Sequence, residues 1–123
     1  MSKNILVVDD DNLIRKSVVT LLKNAKHEIH EATDGQQGLD TALKLHPDII
    51  LTDVRMPNMT GLEMVEAIRR DEWGKTVPII ILTSDEATPT INEAIETGVT
   101  VYLSKNTVDP EALSDQILAA IGD

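Results

Sequence analysis

The sequence predicts a doubly wound α/β domain, a five-stranded parallel sheet with helices on both faces. Three observations carry that expectation. Short β-branched runs at residues 5–8, 49–51, 77–82 and 101–103 are apolar throughout, as strands covered on both faces must be. Segments of helical period separate them, so strand and helix alternate along the chain. The connections are short, with no linker, repeat or low-complexity stretch. A length of 123 residues fits one compact domain, assigned to residues 1–123.

Each element has its own signal. After the first strand, Ile14, Val18, Leu21, Leu22 and Ala25 recur on one helical stripe. The second strand, 27–32, is far more polar and reads as an edge strand. Asp34 is placed to cap a second helix marked by Leu39, Ala42 and Leu43. The third helix opens with Thr60-Gly-Leu-Glu63, a capping-box spacing, and continues through Val65 and Ile68. The fourth, around 91–95, is the weakest: short, starting near Pro89 and ending at Gly98. The fifth begins Asp109-Pro110-Glu111, a cap residue and then Pro at N1, with Leu113, Ile117, Ala120 and Ile121 inward. Right-handed crossovers leave few topologies, and the flavodoxin-like order 2-1-3-4-5 puts the polar second strand at an edge. That order also brings the carboxyl ends of strands 1 and 3 together at the switch point, where ligands bind in such sheets.

Composition narrows the function. Lys and Arg number 11 against 21 Asp and Glu, a net charge of −10, which repels phosphate backbones and argues against direct nucleic-acid binding. No apolar run reaches membrane-spanning length and no signal-peptide pattern opens the chain, so no membrane insertion and a cytoplasmic location are expected. Without cysteine there is neither a disulfide nor a thiolate metal site. With no Phe, one Trp (Trp73) and one Tyr (Tyr102), the core must be aliphatic.

The chemistry gathers at the strand ends. Strand 1 runs into Asp9-Asp10-Asp11 and strand 3 into Asp53, so carboxylates converge on one edge of the sheet. Close like charges destabilise one another unless a cation is present, and a hard divalent ion with oxygen ligands, Mg²⁺, answers that cost. Asp10 or Asp11 would serve equally as N-cap of the first helix, but a cap needs one Asp and does not explain Asp53. Strand 4 ends at Thr83 and strand 5 at Lys105, a hydroxyl and a mobile ammonium facing the carboxylates, as a bound phosphoryl group requires. Taken singly, the Thr reads as a cap and the Lys as a solvated side chain.

With these residues in order, the whole chain resembles the response-regulator receiver family of two-component signalling. The resemblance rests on Val7-Val8-Asp9-Asp10, on Asp53-Val54-Arg55-Met56-Pro57 followed by Gly61, on Thr83 with small Ser84, and on Lys105. It implies that Asp53 is the phosphoacceptor, that Asp10 and Asp53 bind Mg²⁺ directly, that Asp9 acts through water and that the Arg55 backbone carbonyl is a further metal ligand. It implies too that Lys105 contacts the phosphoryl group and that Thr83 and Tyr102 form a switch pair. The expected function is a phosphorelay receiver whose only chemistry is its own phosphorylation and dephosphorylation. A sensor histidine kinase or phosphotransfer protein is the implied donor. A downstream protein target or output domain is the implied reader, through the face of helix 4, strand 5 and helix 5, or through phosphorylation-dependent homodimerisation there. One departure is Asn106, where the family usually has proline after the lysine, often with a cis peptide. The Lys105–Asn106 bond is then either trans with a rearranged loop or cis at a cost of about 2.5–4 kcal/mol.

The remaining singular residues read as structural. His27, His30 and His46 share no helical face and read as surface or edge-strand residues. Met56-Pro57-Asn58-Met59 reads as an exposed apolar loop that scaffolds the Arg55 carbonyl, and Trp73 as packing far from the site. Arg55 and Asp85 bring opposite charges to the loops that flank the route of water to Asp53, where an ion pair would partly block it. Three rivals stand: a receiver-like binding module that is never phosphorylated, a hydrolase with an aspartyl-phosphate intermediate, and a flavodoxin-like cofactor binder. The last lacks a glycine-rich phosphate loop after strand 1.

Overall fold

Alternate residues of each central strand feed opposite cores, and that division organises the fold. The computed structural model describes residues 3–24 and 26–121. Its strands are β1 (Asn4–Val8), β2 (Glu28–Ala32), β3 (Ile49–Thr52), β4 (Ile79–Thr83) and β5 (Val101–Ser104). The helices are α1 (Asn12–Asn24), α2 (Gly35–Leu45), α3 (Gly61–Arg70), α4 (Thr88–Thr97) and α5 (Pro110–Ile121). All strand pairs are parallel and their order is β2-β1-β3-β4-β5, as the sequence pattern requires.

Ile5, Val7, Ile49, Leu51, Ile80 and Leu82 face α1 and α5, against Val18, Val19, Leu22, Leu113 and Ile117. Leu6, Val8, Ile50, Ile79 and Ile81 face the other way, against Ala42, Met64, Val65, Ile68 and Ala94 of α2, α3 and α4. Both cores are aliphatic, and β2 lies at the edge with mostly part-exposed side chains. In the expected stripe of α1, Ala25 lies outside the described residues, as does the side chain of Ile121 in α5. Leu43, one of the markers of α2, is exposed at 38%.

The caps follow the expected chemistry. The Asp34 carboxylate accepts the Gln37 N–H at 2.8 Å. Thr60 and Glu63 make both bonds of a capping box. The Asp109 carboxylate accepts the Ala112 N–H at 2.7 Å. At α1 the cap is Asp11, whose carboxylate accepts the N–H groups of Leu13 and Ile14 at 3.0 and 3.1 Å. Asp10 is left to other work.

The start of β4 and the burial of Met56 differ from the sequence reading. β4 begins at Ile79, not Val77, because Pro78 has no N–H for the ladder, although Val77 is still buried. α4 spans Thr88–Thr97, starting beside Pro89 and ending at Gly98 with φ +90°, as the sequence reading has it. Met56, expected on an exposed loop, is buried in the α2–α4 core beside Val54. No helix among the described residues is long and apolar enough to cross a membrane.

Candidate functional site: an acidic cluster at the sheet's carboxyl edge

Strand register sets the site. Val8 pairs with Thr52 and Thr52 with Ile81, so Asp9 and Asp53 emerge at one level, and Thr83 and Lys105 follow further along β4 and β5 at the same edge. The ladder continues one step past the strands: the Asp9 N–H donates to Ala32, Asp53 to Val8 and Lys105 to Thr83, at 3.1, 3.0 and 2.9 Å. Asp9 and Asp53 are therefore held on rigid backbone, as their burial at 4% and 8% reflects.

Asp9, Asp10 and Asp53 each bring one carboxylate oxygen within 4.8 Å of the others. Lys105 Nζ donates to Asp9 Oδ2 at 2.8 Å and to Asp53 Oδ2 at 2.7 Å. Asp9 Oδ1 accepts the Asp11 N–H at 2.9 Å, and Asp53 Oδ1 accepts the Val54 N–H at 2.6 Å. Burial pushes the Asp9 carboxyl above the usual carboxylate range, and the Lys105 ammonium offsets this only in part. Burial works against the charge of Lys105 as well, but its hydrogen bonds to Asp53 and Asp9 outweigh that and hold it above the ordinary lysine range.

The Lys105–Asn106 peptide is trans, as is every described bond. The Asn106 N–H, which a proline would lack, donates to Ser104 Oγ at 3.1 Å. That bond and the Val108 N–H to the Ser104 carbonyl, at 3.0 Å, shape the turn after β5 while Lys105 still reaches both carboxylates.

Gly61 closes the loop behind Asp53. A Cβ on Gly61 would lie 1.9 Å from the Asp53 carbonyl oxygen, so only glycine lets α3 start this close. Asn58, in the left-handed region at φ 68°, donates its side-chain N–H to Asp34 at 2.9 Å and pins the same loop to α2.

The β4–α4 loop hangs on Asp85. Its N–H donates to Thr83 Oγ at 3.2 Å, and its carbonyl accepts the Tyr102 hydroxyl. Its carboxylate accepts from Arg55 at 2.9 and 3.1 Å, from Thr90 Oγ at 3.1 Å and from the Ala87 N–H at 3.0 Å. The Ala87 N–H foremost, with Arg55 and Thr90, holds the Asp85 carboxyl below the usual range. Thr83 is buried, Tyr102 is half-buried, and Ser84 is exposed. Burial, with the Asp85 and Asp53 carboxylates, pushes the Tyr102 phenol up.

The sequence-predicted residues thus fall in two groups: Asp9, Asp10, Asp53 and Lys105 in one cluster, with Thr83, Tyr102 and Arg55 gathered on Asp85 beside it. The sequence profile of the response regulator receiver domain matches residues 5–118. The chain belongs to this family. The receiver domain is 39% identical over 117 residues to the nitrate/nitrite response regulator protein NarP of Escherichia coli K12, covering 94% of this chain and 53% of that protein. It spans about half the length of the curated relatives it matches. It superposes on the chemotaxis response regulator CheY4 of Vibrio cholerae with a TM-score of 0.90 at 35% identity, over 98% of this chain and 99% of that one. The receiver domain of sensor histidine kinase PA1611 from Pseudomonas aeruginosa PAO1, described with a magnesium ion coordinated in its active site cleft, gives 0.91 at 27% identity over 100% of each chain. The receiver domain accordingly belongs to a family of two-component signalling proteins with the flavodoxin-like fold.

His27, His30 and His46 lie away from the cluster. The His27 Nδ1 accepts the Lys3 N–H at 3.3 Å, and His46 stacks on Trp73 with ring centroids 4.5 Å apart. Sequence reasoning missed Arg15, which is buried at 6% and bonded to the Asp9 carbonyl at 2.8 Å. The available signal was its place one residue off the apolar stripe of α1, a few residues after the acidic run. It also missed Asn58 and Thr90, which nothing in their local pattern marks.

Proposed function

We propose that the domain is a phosphorylation-driven switch in which Asp53 is the phosphoacceptor. The observation that carries this reading is the Lys105 ammonium, at the end of β5, bridging the carboxylates of Asp9 and Asp53 at the ends of the adjacent strands β1 and β3. A lysine that only stabilised the fold would not need two buried acids and a third, exposed one beside them.

The donor set fits a hard divalent cation through the carboxylate oxygens of Asp9, Asp10 and Asp53, and the Arg55 backbone carbonyl would be a further ligand. Asp10 and Asp53 would bind Mg²⁺ directly and Asp9 through water. When bound, the ion supplies neutralisation of carboxylate repulsion and of charge on an incoming phosphoryl group.

The chain's own groups do the rest. A carboxylate oxygen of Asp53 attacks phosphorus in line. An acyl phosphate forms as the bond from phosphorus to the donor's imidazole nitrogen breaks, its electron pair leaving with the imidazole. The Lys105 ammonium, released from the Asp53 carboxylate as that carboxylate is phosphorylated, pairs with the phosphoryl oxygens. Thr83 then turns its hydroxyl to donate to the same group. That turn loosens the Asp85 N–H bond to Thr83, and Asp85 also holds Tyr102, so the change reaches α4, β5 and α5. This face would engage a downstream protein, an output domain or a second phosphorylated copy. The phosphodonor would be a sensor histidine kinase or phosphotransfer protein in the cytoplasm. The receiver unit is taken to be residues 1–123.

The test is intact-mass measurement after brief treatment with acetyl phosphate and Mg²⁺. Wild type should gain one phosphoryl mass and Asp53→Asn none. Equal labelling of the two would sink the assignment, and labelling of neither would favour a binding module.

A further inference from the structure

We infer that Arg15 is a positioning residue for the cation site, acting through the Asp9–Asp10 peptide and resting on the metal-site reading above. Asp10 is exposed, and among the described residues its carboxylate accepts no hydrogen bond. Its direction is inherited from the peptide that joins it to Asp9. That peptide's carbonyl oxygen is the Asp9 oxygen, which accepts Arg15 Nη1 at 2.8 Å in a buried bond.

Arg15 is itself held from two sides. Its Nη2 donates to Asn12 Oδ1 at 2.6 Å and its Nε to Glu31 Oε1 at 3.0 Å. Glu31 lies opposite Val7 in the β1–β2 register and also takes Lys16 at 3.0 and 3.1 Å. A planar guanidinium with donors in fixed directions can answer three acceptors at once, which an ammonium cannot. The result is a brace from the edge strand through α1 to the one carboxylate of the cluster that nothing else orients. Groups that orient metal ligands from behind typically change affinity about 10–100-fold when removed.

The sign of the effect separates positioning from charge. Arg15 is a cation close behind a cation site, so deleting its charge alone should strengthen Mg²⁺ binding. Loss of positioning should weaken it. Isothermal titration with MgCl₂ on the whole chain, with thermal melts in metal-free buffer as folding controls, is the experiment. Wild type should bind, Asp10→Ala should not, Arg15→Met should bind at least about tenfold more weakly, and Arg15→Lys should fall between. Asn12→Ala and Glu31→Gln keep the guanidinium but loosen its hold, and each should weaken binding by a smaller factor. Arg15→Met binding equal to or tighter than wild type overturns the inference and leaves the metal site standing. If Arg15→Met does not fold, the other two decide, and unchanged affinity in both overturns it. Failure of wild type to bind Mg²⁺, or binding that survives Asp10→Ala, removes the metal-site reading and this inference with it.

Discussion

At the scale of single residues, Arg55 and Asp85 show how an exposed pair acquires a role from its position. Arg55 lies two residues past Asp53 and Asp85 two past Thr83, and their side chains meet at 2.9 Å across the mouth of the site. The Arg55 side chain is 71% exposed, so solvent screens the pair and it adds little to the stability of the fold. Rate is more sensitive than stability here, since about 1.4 kcal/mol in a barrier is tenfold. If the pair screens in-line attack by water on phosphorylated Asp53, breaking it should speed loss of the phosphoryl group. Arg55→Ala and Asp85→Ala should each accelerate decay, and the double mutant should be barely faster than either, because both remove one gate. Decay followed after removal of the donor checks this; unchanged rates in both single mutants, or effects that multiply in the double, would show there is no gate. Asp85→Ala removes the Thr90 bond as well, so Arg55→Ala is the cleaner single variant.

At the scale of elements, the two loops around the site are built to opposite ends. The β3–α3 loop is locked by Asn58 on Asp34, by Met56 in the core and by Gly61 against the Asp53 carbonyl. Gly61→Ala places a methyl on backbone atoms that cannot yield without moving Asp53. It should destabilise the fold by about 1–3 kcal/mol in urea unfolding and cut phosphorylation of the folded fraction. A variant as stable as wild type would mean that the loop gives freely. The β4–α4 loop, by contrast, is tied among the described residues through Asp85, and α4 has no side-chain N-cap, buries little beyond Thr90 and Ala94, and leaves Ile95 65% exposed. An element with so few buried contacts belongs to the low-stability end of the molecule, where a switch must be drawn from. That weakness was readable in the sequence as a short apolar centre between Pro89 and Gly98. The lock on the other loop was not, because a left-handed Asn58 and a buried Met56 look, locally, like any polar and apolar loop residues.

At the scale of the whole molecule, the fold was legible because binary pattern and turn chemistry agree at nearly every element. Strands apolar on both faces, one polar strand and capped helices leave one sensible arrangement, and the register then delivers Asp9, Asp53, Thr83 and Lys105 to one edge. What stayed hidden was what crosses between elements, such as the buried Arg15 linking α1, β1 and β2. A charged residue beside an apolar stripe reads as solvated until the strands behind it are in place. The same long-range view bears on stability. A chain of net charge −10 gathers Asp9, Asp10 and Asp53 at one point, with Lys105 as the ammonium that bridges two of them. Cation binding to the folded state alone must then stabilise it, by about 2.7 kcal/mol at a hundred times the dissociation constant. Mg²⁺ should therefore raise the melting temperature. Asp10→Ala should abolish that rise while leaving the metal-free protein as stable as wild type or more so, since it removes a repelling charge and no hydrogen bond of the described residues. Melts of both proteins with and without Mg²⁺, at constant ionic strength, separate the specific ion from general screening of the acidic surface. A Mg²⁺-dependent shift of equal size in Asp10→Ala would assign the effect to that surface, and the cluster would lose its claim to the cation.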